Sequence, residues 1–204
     1  MDFVLPVIIF GFSAGITPGP NNIMIMSSGL NFGIRRSLQH FLGICIGFPL
    51  MFILLGLGLG ALFVQNSLFH ATIQALGVCY LLYLAWKIAT AAPMTLKASE
   101  ARPLSFLQAV LFQWVNPKAW AIATGTISAF TSVEANVFLQ IVVMTGLFFI
   151  ISMINTSAWL FFGKSLRRVL KTAQHQKVFN ISMASLLVLS FSPIAYDLIT
   201  AYLF

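Results

Sequence analysis

Long apolar stretches, separated by short polar ones, make up almost the whole chain. No charged residue lies between Phe3 and Ile34 or between Ser37 and Trp86, and only Lys118 interrupts the stretch from 103 to 133. Charges and polar breaks delimit six apolar segments, at about 3–34, 38–64, 68–87, 105–130, 136–163 and 178–204. Each reaches the roughly 20 residues that a membrane-spanning helix needs. Because lipid offers no partner to an open backbone, the segments are predicted to be six transmembrane helices.

The composition supports an all-α membrane protein and excludes a soluble one. Of 204 residues, 59% are hydrophobic and 7% are charged, whereas a soluble domain carries about 25% charged residues. A chain of this size leaves about a third of its unfolded surface exposed after folding, so much of this apolar surface has to face the lipid bilayer. A soluble enzyme and a nucleic-acid-binding module are therefore excluded, although the net charge is +7.

The basic residues alternate along the chain in a way that predicts topology. Ten of the 11 basic residues lie in the connections after the first, third and fifth segments, and none lies in the other two connections. Basic loops stay in the cytoplasm, so both termini are predicted to be periplasmic. The ten residues are Arg35, Arg36, Lys87, Lys97, Arg102, Lys164, Arg167, Arg168, Lys171 and Lys177.

Two of the segments are interrupted by proline at membrane depth. The first contains Thr17-Pro18-Gly19-Pro20-Asn21-Asn22 and the fourth contains Val115-Asn116-Pro117-Lys118-Ala119. Proline removes a backbone donor and clashes with the preceding turn, so helices 1 and 4 are predicted to be broken. Pro18 and Pro117 lie 99 positions apart, each in the first span of three. This predicts two inverted three-helix repeats, about 1–97 and 98–204, within one transmembrane transporter domain, with a binding site between them. Two ordinary proline kinks are the alternative.

The breaks offer groups that suit a zwitterion. New helix N-termini present N–H groups to a carboxylate, open carbonyls accept from an ammonium group, and asparagine amides do both. Lys118 adds a positive charge at a depth where an ionisable residue is costly and usually functional. An amino acid fits this set, although Lys118 could instead pair with backbone carbonyls. The predicted substrate-binding residues are Thr17, Pro18, Gly19, Pro20, Asn21, Asn22, Asn116, Pro117 and Lys118.

Four sets of motifs follow one another along the full length of the chain. They are Thr17-Pro18-Gly19-Pro20-Asn21, Gly33-x-Arg35 with Gly43 and Gly47, Leu76-Gly77 with Tyr80-Leu81-x-Tyr83-Leu84-x-Trp86-Lys87, and Phe106 with Asn116-Pro117-Lys118-Ala119. Together they resemble the lysine-exporter and homoserine-exporter (LysE/RhtB) family. The resemblance implies an amino-acid exporter of the bacterial inner membrane with six spans, driven by the proton gradient. Trp86-Lys87-Ile88-Ala89-Thr90 resembles the cysteine and O-acetylserine exporters. Relatives often carry glycine where this chain has Phe112-Gln113-Trp114, which predicts a more aromatic site.

The substrate is predicted to be small and neutral, of the cysteine/O-acetylserine or homoserine/threonine type. A dibasic substrate would bring a second cation to Lys118 with no midspan carboxylate to offset it. Neither a cofactor nor a metal site is predicted, and with no nucleophile and base at a common depth the chain is not predicted to be an enzyme.

A metal-ion or thiol-redox carrier of similar three-plus-three plan is the alternative. Against it, Cys45 and Cys79 lie away from the breaks and are predicted to be small buried residues. The three histidines lie near span ends, where we expect them to be solvated: His40, His70 and His175. The spacing Gly43-x-x-x-Gly47 allows a close helix contact, either within one chain or in a homodimer.

Overall fold

The computed structural model describes residues 3–59, 67–90, 102–132, 135–170 and 172–203. The regular structure in these ranges is entirely helical, which confirms the predicted all-α class. The seven helices of the described ranges are α1 (Val4–Ile16), α2 (Pro20–Leu54), α3 (Ser67–Ala89), α4 (Phe106–Phe112), α5 (Pro117–Phe130), α6 (Val137–Val169) and α7 (Ala173–Leu203). A π-helical turn (Leu55–Leu59) continues α2, and a 3-10 turn (Gln113–Val115) continues α4.

Helix α2 folds back on itself at Gly33. This residue has φ 74°, a left-handed conformation that glycine adopts without steric cost. Ser28 Oγ and His40 Nδ1, 12 positions apart, lie within 2.9 Å of each other, whereas a straight helix would separate them by about 18 Å. We therefore divide α2 into a first limb, 20–32, and a second limb, 34–54. The loop predicted at Arg35 and Arg36 is a sharp bend just before them.

Apolar length and an apolar exterior both fit a membrane. By length and composition, two helical stretches of the described residues could span a bilayer, Pro20–Gly58 and Val137–Leu166, and shorter apolar helices are Val4–Ile16, Ala75–Ala89 and Phe106–Val115. The first stretch includes the fold-back at Gly33, so it is not one straight spanning helix. Large apolar side chains are exposed over α3, α4 and α6, including Leu76, Leu107 and Phe161. Such an exterior matches hydrocarbon better than water.

The core is built around α2 and α6. In one cluster, Phe48 of the second limb of α2 packs edge-on against Phe148 of α6 with ring centroids 5.4 Å apart. In another, the first limb of α2 packs against α3 and α7 through Met24, Leu84 and Leu187. Both limbs of α2 contact α6, since a Cβ atom at Gly29 of the first limb would meet the Leu160 carbonyl oxygen of that helix.

The glycine pair Gly43 and Gly47 is used within the chain. A Cβ atom at Gly43 would meet the Phe106 carbonyl oxygen at 2.5 Å, and one at Gly47 would meet Val110 Cα at 2.8 Å. Small residues here let the second limb of α2 approach the backbone of α4. The pair therefore provides no argument for a homodimer.

Two predictions about side chains are wrong. His40 is not solvated but 1% exposed, because the fold-back at Gly33 places Ser28 beside it. Cys79 is exposed, whereas Cys45 is buried as predicted. Cys79 lies on the outer face of α3 with the exposed Leu76 and Tyr83, where lipid accepts a small apolar side chain as well as a core does.

Several predicted features lie outside the described residues. They are the polar break at 65–66 and the boundary between halves at 97/98. The side chain of His70 is likewise outside the description, whereas His175 is exposed as predicted.

Candidate functional site

The chain leaves helical geometry at both predicted breaks and restarts each helix at a proline. Helix α1 ends at Ile16, Thr17 and Gly19 are extended, and Pro20 begins α2. In the fourth segment, Asn116 is extended and Pro117 begins α5. Proline suits the first position of a helix because that N–H has no intrahelical partner. The spacing in the sequence makes Pro18 the counterpart of Pro117. In the structure the counterpart is Pro20, because Pro20 and Pro117 each begin the helix that follows a break.

Two sets of hydrogen bonds join the breaks. Lys118 Nζ donates to the Thr17 carbonyl at 2.6 Å and to Thr17 Oγ1 at 2.7 Å, with a longer contact of 3.4 Å to the Pro18 carbonyl. The amides of Asn21 and Gln113 pair reciprocally, at 2.8 and 3.2 Å. The pairing of Lys118 with backbone carbonyls, which the sequence left open, is present in the structure. These charge-assisted hydrogen bonds hold the two interrupted segments together.

The open C-terminus of α1 is satisfied from several sides. Asn22 Nδ2 donates to the Gly15 and Thr17 carbonyls at 2.7 and 2.8 Å, and Thr17 Oγ1 donates to the Ala14 carbonyl at 2.8 Å. The last carbonyls of a helix have no intrahelical donors and carry a partial negative charge. A lysine ammonium is therefore stabilised here in spite of its depth.

The two restarted helices differ at their N-termini. At α5, Asn116 Oδ1 accepts from the Lys118 N–H at 3.2 Å, and the Asn116 carbonyl accepts from Ala119 and Trp120. At α2, Gly19 offers no capping side chain, and the N–H groups of Asn21 and Asn22 have no partner within the helix. Of the two breaks, the first presents backbone donors to a ligand.

A cavity of about 70 Å³ lies where the breaks meet. This exceeds the roughly 10–15 Å³ that a cavity needs to hold a water molecule, so the space is large enough to be hydrated. Polar groups from both breaks share the wall with apolar side chains of α2, α5 and α6. It is lined by Gly11, Gly15, Gly19, Asn21, Asn22, Ile44, Phe48, Asn116, Lys118, Ala119, Ile122, Phe148, Ile151, Ser152, Asn155 and Thr156.

The predicted site residues divide into two groups. Gly19, Asn21, Asn22, Asn116 and Lys118 line the cavity. The other four shape the breaks without lining it, and two of them, Thr17 and Pro18, are exposed. These four are Thr17, Pro18, Pro20 and Pro117.

One wall of the cavity was not predicted. Ser152, Asn155 and Thr156 of α6 contribute polar groups to it. Asn155 is 5% exposed and its Nδ2 has no hydrogen-bond partner, so a donor is buried beside the empty space. In the sequence, the sign that could have predicted this wall is the group of polar residues Ser152, Asn155 and Thr156 within a segment that has no charged residue.

The expected aromatic character comes from other residues. Phe112 is buried in the core, and Trp114 packs against Trp120, whose Nε1 donates to the Trp114 carbonyl at 2.8 Å. Neither lines the cavity, whose aromatic walls are Phe48 and Phe148. The prediction from 112–114 is wrong because only Gln113 of the three residues points to the first break.

Comparison with known proteins decides the family. A family model described as LysE type translocator matches residues 12–197. The chain belongs to this family. As a LysE type translocator, it is a multi-pass inner-membrane transporter and not an enzyme. No solved structure matches it.

Three curated relatives of the translocator carry the same name and align with most of this chain. A cysteine/O-acetylserine efflux protein of Escherichia coli (strain K12) is 30% identical over 174 residues, covering 85% of this chain and 87% of the relative. The protein of that name from Shigella flexneri gives the same values, and that from Escherichia coli O139:H28 is 29% identical over 174 residues. The predicted LysE/RhtB resemblance, including its subgroup, is confirmed.

A methyl group at Gly19 tests the position of Lys118 in the translocator. A Cβ atom there would meet Lys118 Cδ at 2.5 Å and Nζ at 3.1 Å. Because a lysine side chain is flexible, we expect Gly19→Ala to move the ammonium while changing the free energy of unfolding by only about 0.5 kcal/mol. Transport should fall about tenfold, as for loss of one hydrogen bond to a charged group.

The matched control is Gly125→Ala on α5, where an added Cβ has nothing within 4 Å. Transport is measured as efflux of labelled amino acids, and stability as the thermal midpoint in detergent. Full transport by Gly19→Ala would show that the position of the ammonium does not matter.

Proposed function

We propose that this translocator exports small neutral amino acids or their derivatives, of the cysteine/O-acetylserine type, from the cytoplasm. The observation that carries the proposal is the cavity in which the N-terminus of α2 and Lys118 meet with no carboxylate among the described lining residues. The names of the curated relatives support the same class of substrate.

The substrate carboxylate binds between Lys118 and the first turn of α2. An ammonium group has three donors, and that of Lys118 has two short bonds to Thr17 with only a 3.4 Å contact to the Pro18 carbonyl. The third donor turns to the carboxylate. The N–H groups of Asn21 and Asn22 complete the anion site at the positive end of the helix dipole.

The rest of the substrate faces α6 and the apolar walls. Ser152 and Thr156 supply hydroxyl oxygens for the substrate ammonium group, and the unpartnered Nδ2 of Asn155 donates to a side-chain oxygen of the substrate. Phe48 and Phe148 bound the space for the side chain. The small volume of the cavity, about 70 Å³, favours a short side chain over a long one, and a lysine or arginine side chain would add a second cation near Lys118.

The helix pairing supports six spans arranged as an inverted repeat. Helix α1 packs on α6, where a Cβ at Gly11 would meet Ile151, and α4 packs on the second limb of α2, where a Cβ at Gly43 would meet Ala109. These contacts exchange when residues 1–97 are exchanged with 98–204. Broken helices at equivalent positions in two such halves surround the substrate site of many transporters.

The distribution of basic residues supports periplasmic termini for this arrangement. Reporter fusions after Asn66 and Glu134 should be active in the periplasm, and fusions after Ser99 and Thr172 in the cytoplasm, because basic connections are retained inside. A cytoplasmic signal at Glu134 would contradict both the topology and the repeat.

Export against a gradient needs an energy source, and the chain has no nucleotide-binding motif. Proton antiport supplies one. The metal-ion and thiol-redox alternatives have less support. No three His, Cys, Asp or Glu side chains of the described residues form a group that fits a metal ion, and neither Cys45 nor Cys79 lines the central cavity.

Substrate and coupling are measured together in proteoliposomes with an imposed pH gradient. We expect O-acetylserine, cysteine, homoserine and threonine to be transported faster than lysine and arginine, and uphill only with the gradient present. Transport that ignores the gradient would make the protein a facilitator, and arginine or lysine as the best substrate would remove Lys118 from the site.

Replacing Lys118 tests the carboxylate contact. We expect Lys118→Met to fold, because the Thr17 carbonyl keeps its bond from Asn22, and removing a deep charge favours insertion. Its affinity for O-acetylserine should fall by about 1.5–3 kcal/mol, the range for hydrogen bonds to a charged group.

Lys118→Arg is the control for charge, since it keeps the cation in a bulkier planar group. Equilibrium binding in detergent measures the affinity of both variants for O-acetylserine. Binding that Lys118→Arg partly keeps and Lys118→Met loses supports the contact. Low yield of Lys118→Met with unchanged affinity would assign the lysine to structure alone.

A further inference from the structure

A second cavity, of about 330 Å³, lies toward the ends of the helices that carry the basic connections. It shares no lining residue with the central cavity. Under the proposed topology it opens to the cytoplasm, and we call it the inner cavity. It is lined by Met24, Ser27, Ser28, Asn31, Phe32, His40, Leu84, Trp86, Lys87, Ile88, Thr90, Arg102, Pro103 and Leu104.

The charged side chains among these lining residues are both cations. Lys87 is at the end of α3, with Nζ 5.4 Å from the centre of the Tyr83 ring, and Arg102 precedes α4. Both are exposed, so they meet an anion that arrives from water. Two such charges at the mouth of a cleft raise the local concentration of an anionic group.

The deeper wall contains polar atoms without partners. His40 is 1% exposed with Nδ1 next to Ser28 Oγ, while its Nε2 has no hydrogen-bond partner. Asn31 Nδ2 donates to the Ser27 carbonyl, while its Oδ1 has no partner. An unpartnered buried polar atom costs about 1–3 kcal/mol, so the cavity beside them favours an occupant with polar groups.

The inner cavity continues toward the central cavity along one face of α2. Asn21 lines the central cavity, and Met24, Ser28 and Asn31 line the inner one. Their spacing of three and four positions places them on the same helix face, and Asn21 is about 10 Å from Ser28 along the axis. Met24, which is 4% exposed and packs with the core cluster of Leu84 and Phe112, lies between Asn21 and Ser28 on this face.

We propose that the inner cavity is a loading site for the substrate, distinct from the central one. Lys87 and Arg102 hold the carboxylate of an incoming amino acid, and Asn31 and His40 provide polar contacts for its amine before it passes Met24. This inference rests on the proposed function, since it assigns a second site to the same substrate. The phosphate of an anionic lipid would offer the same negative charge to the two cations. The second experiment below distinguishes a lipid occupant from an amino acid.

The first experiment removes the two charges. In proteoliposomes, the double variant Lys87→Gln with Arg102→Gln should raise the KM for O-acetylserine presented to the cytoplasmic face about five- to tenfold, with kcat unchanged. The effect is limited because exposed charges are screened. The KM of the unchanged protein should rise with salt, and that of the variant should not. The control is Arg35→Gln with Lys164→Gln, which removes two exposed charges outside the inner cavity.

The second experiment measures occupancy without transport. Thr90→Cys, an exposed residue of the inner cavity to which the proposal gives no contact with the substrate, is placed in a Cys79→Ser background, since Cys45 is 1% exposed. It is labelled with a membrane-impermeant maleimide in nanodiscs. O-acetylserine should slow the labelling at least threefold, and ethanolamine, which lacks the carboxylate, should not. Protection should persist when Lys118→Met is added, because the inner site does not use Lys118.

The outcomes separate the two proposals. An unchanged KM in the double variant, or no protection of Thr90→Cys by O-acetylserine in a protein that transports it, overturns the loading site and leaves the proposed function intact. Protection by phosphatidylglycerol alone, absent in phosphatidylcholine nanodiscs, assigns the cavity to lipid and also overturns the loading site. A protein that transports none of the amino acids contradicts the proposed function itself.

Discussion

A hydrogen bond between Lys118 Nζ and the Thr17 carbonyl, 2.6 Å long, joins the two places where this chain abandons helical structure inside an apolar fold. Backbone groups at membrane depth have to be satisfied by protein or by water in a cavity. Lys118 and Asn22 supply the donors that the end of α1 lacks, and the Asn21–Gln113 amide pair makes a second link. The same groups that make the breaks tolerable also create a polar space between the halves.

The asymmetry of the two breaks gives this space a direction. The start of α5 is capped by Asn116, whereas the start of α2 has no capping side chain and its first residues line the cavity. The helix dipole of α2 and the ammonium group of Lys118 place positive potential on this side. Polar side chains of α6 and the rings of Phe48 and Phe148 form the rest of the wall. Under the proposed function, this asymmetry orients a zwitterion with its carboxylate toward α2.

Much of the fold follows from the sequence, because lipid imposes simple rules. Charge-free segments predicted the helices, and proline with asparagine predicted both breaks to within a residue or two. Contacts between segments that are distant in the sequence were harder to predict. Gln113 and Asn155 are ordinary polar residues in sequence and acquire a role only when α4 and α6 pack beside the first break. His40 was misplaced for the same reason, since the fold-back at Gly33 that buries it depends on a single φ angle.

Under the proposed function, the ammonium group of Lys118 serves the link between the breaks and the substrate at once. In the structure two of its donors are directed to Thr17, and the proposal gives the third, which has only a 3.4 Å contact to the Pro18 carbonyl, to the substrate carboxylate. A carboxylate that pulled the ammonium group toward α2 would lengthen the two bonds to Thr17. The Thr17 carbonyl would keep its bond from Asn22 at 2.8 Å, so it would not be left without a donor. If the two halves of the transporter move relative to one another, a link that weakens only when the site is filled would tie that movement to the presence of substrate.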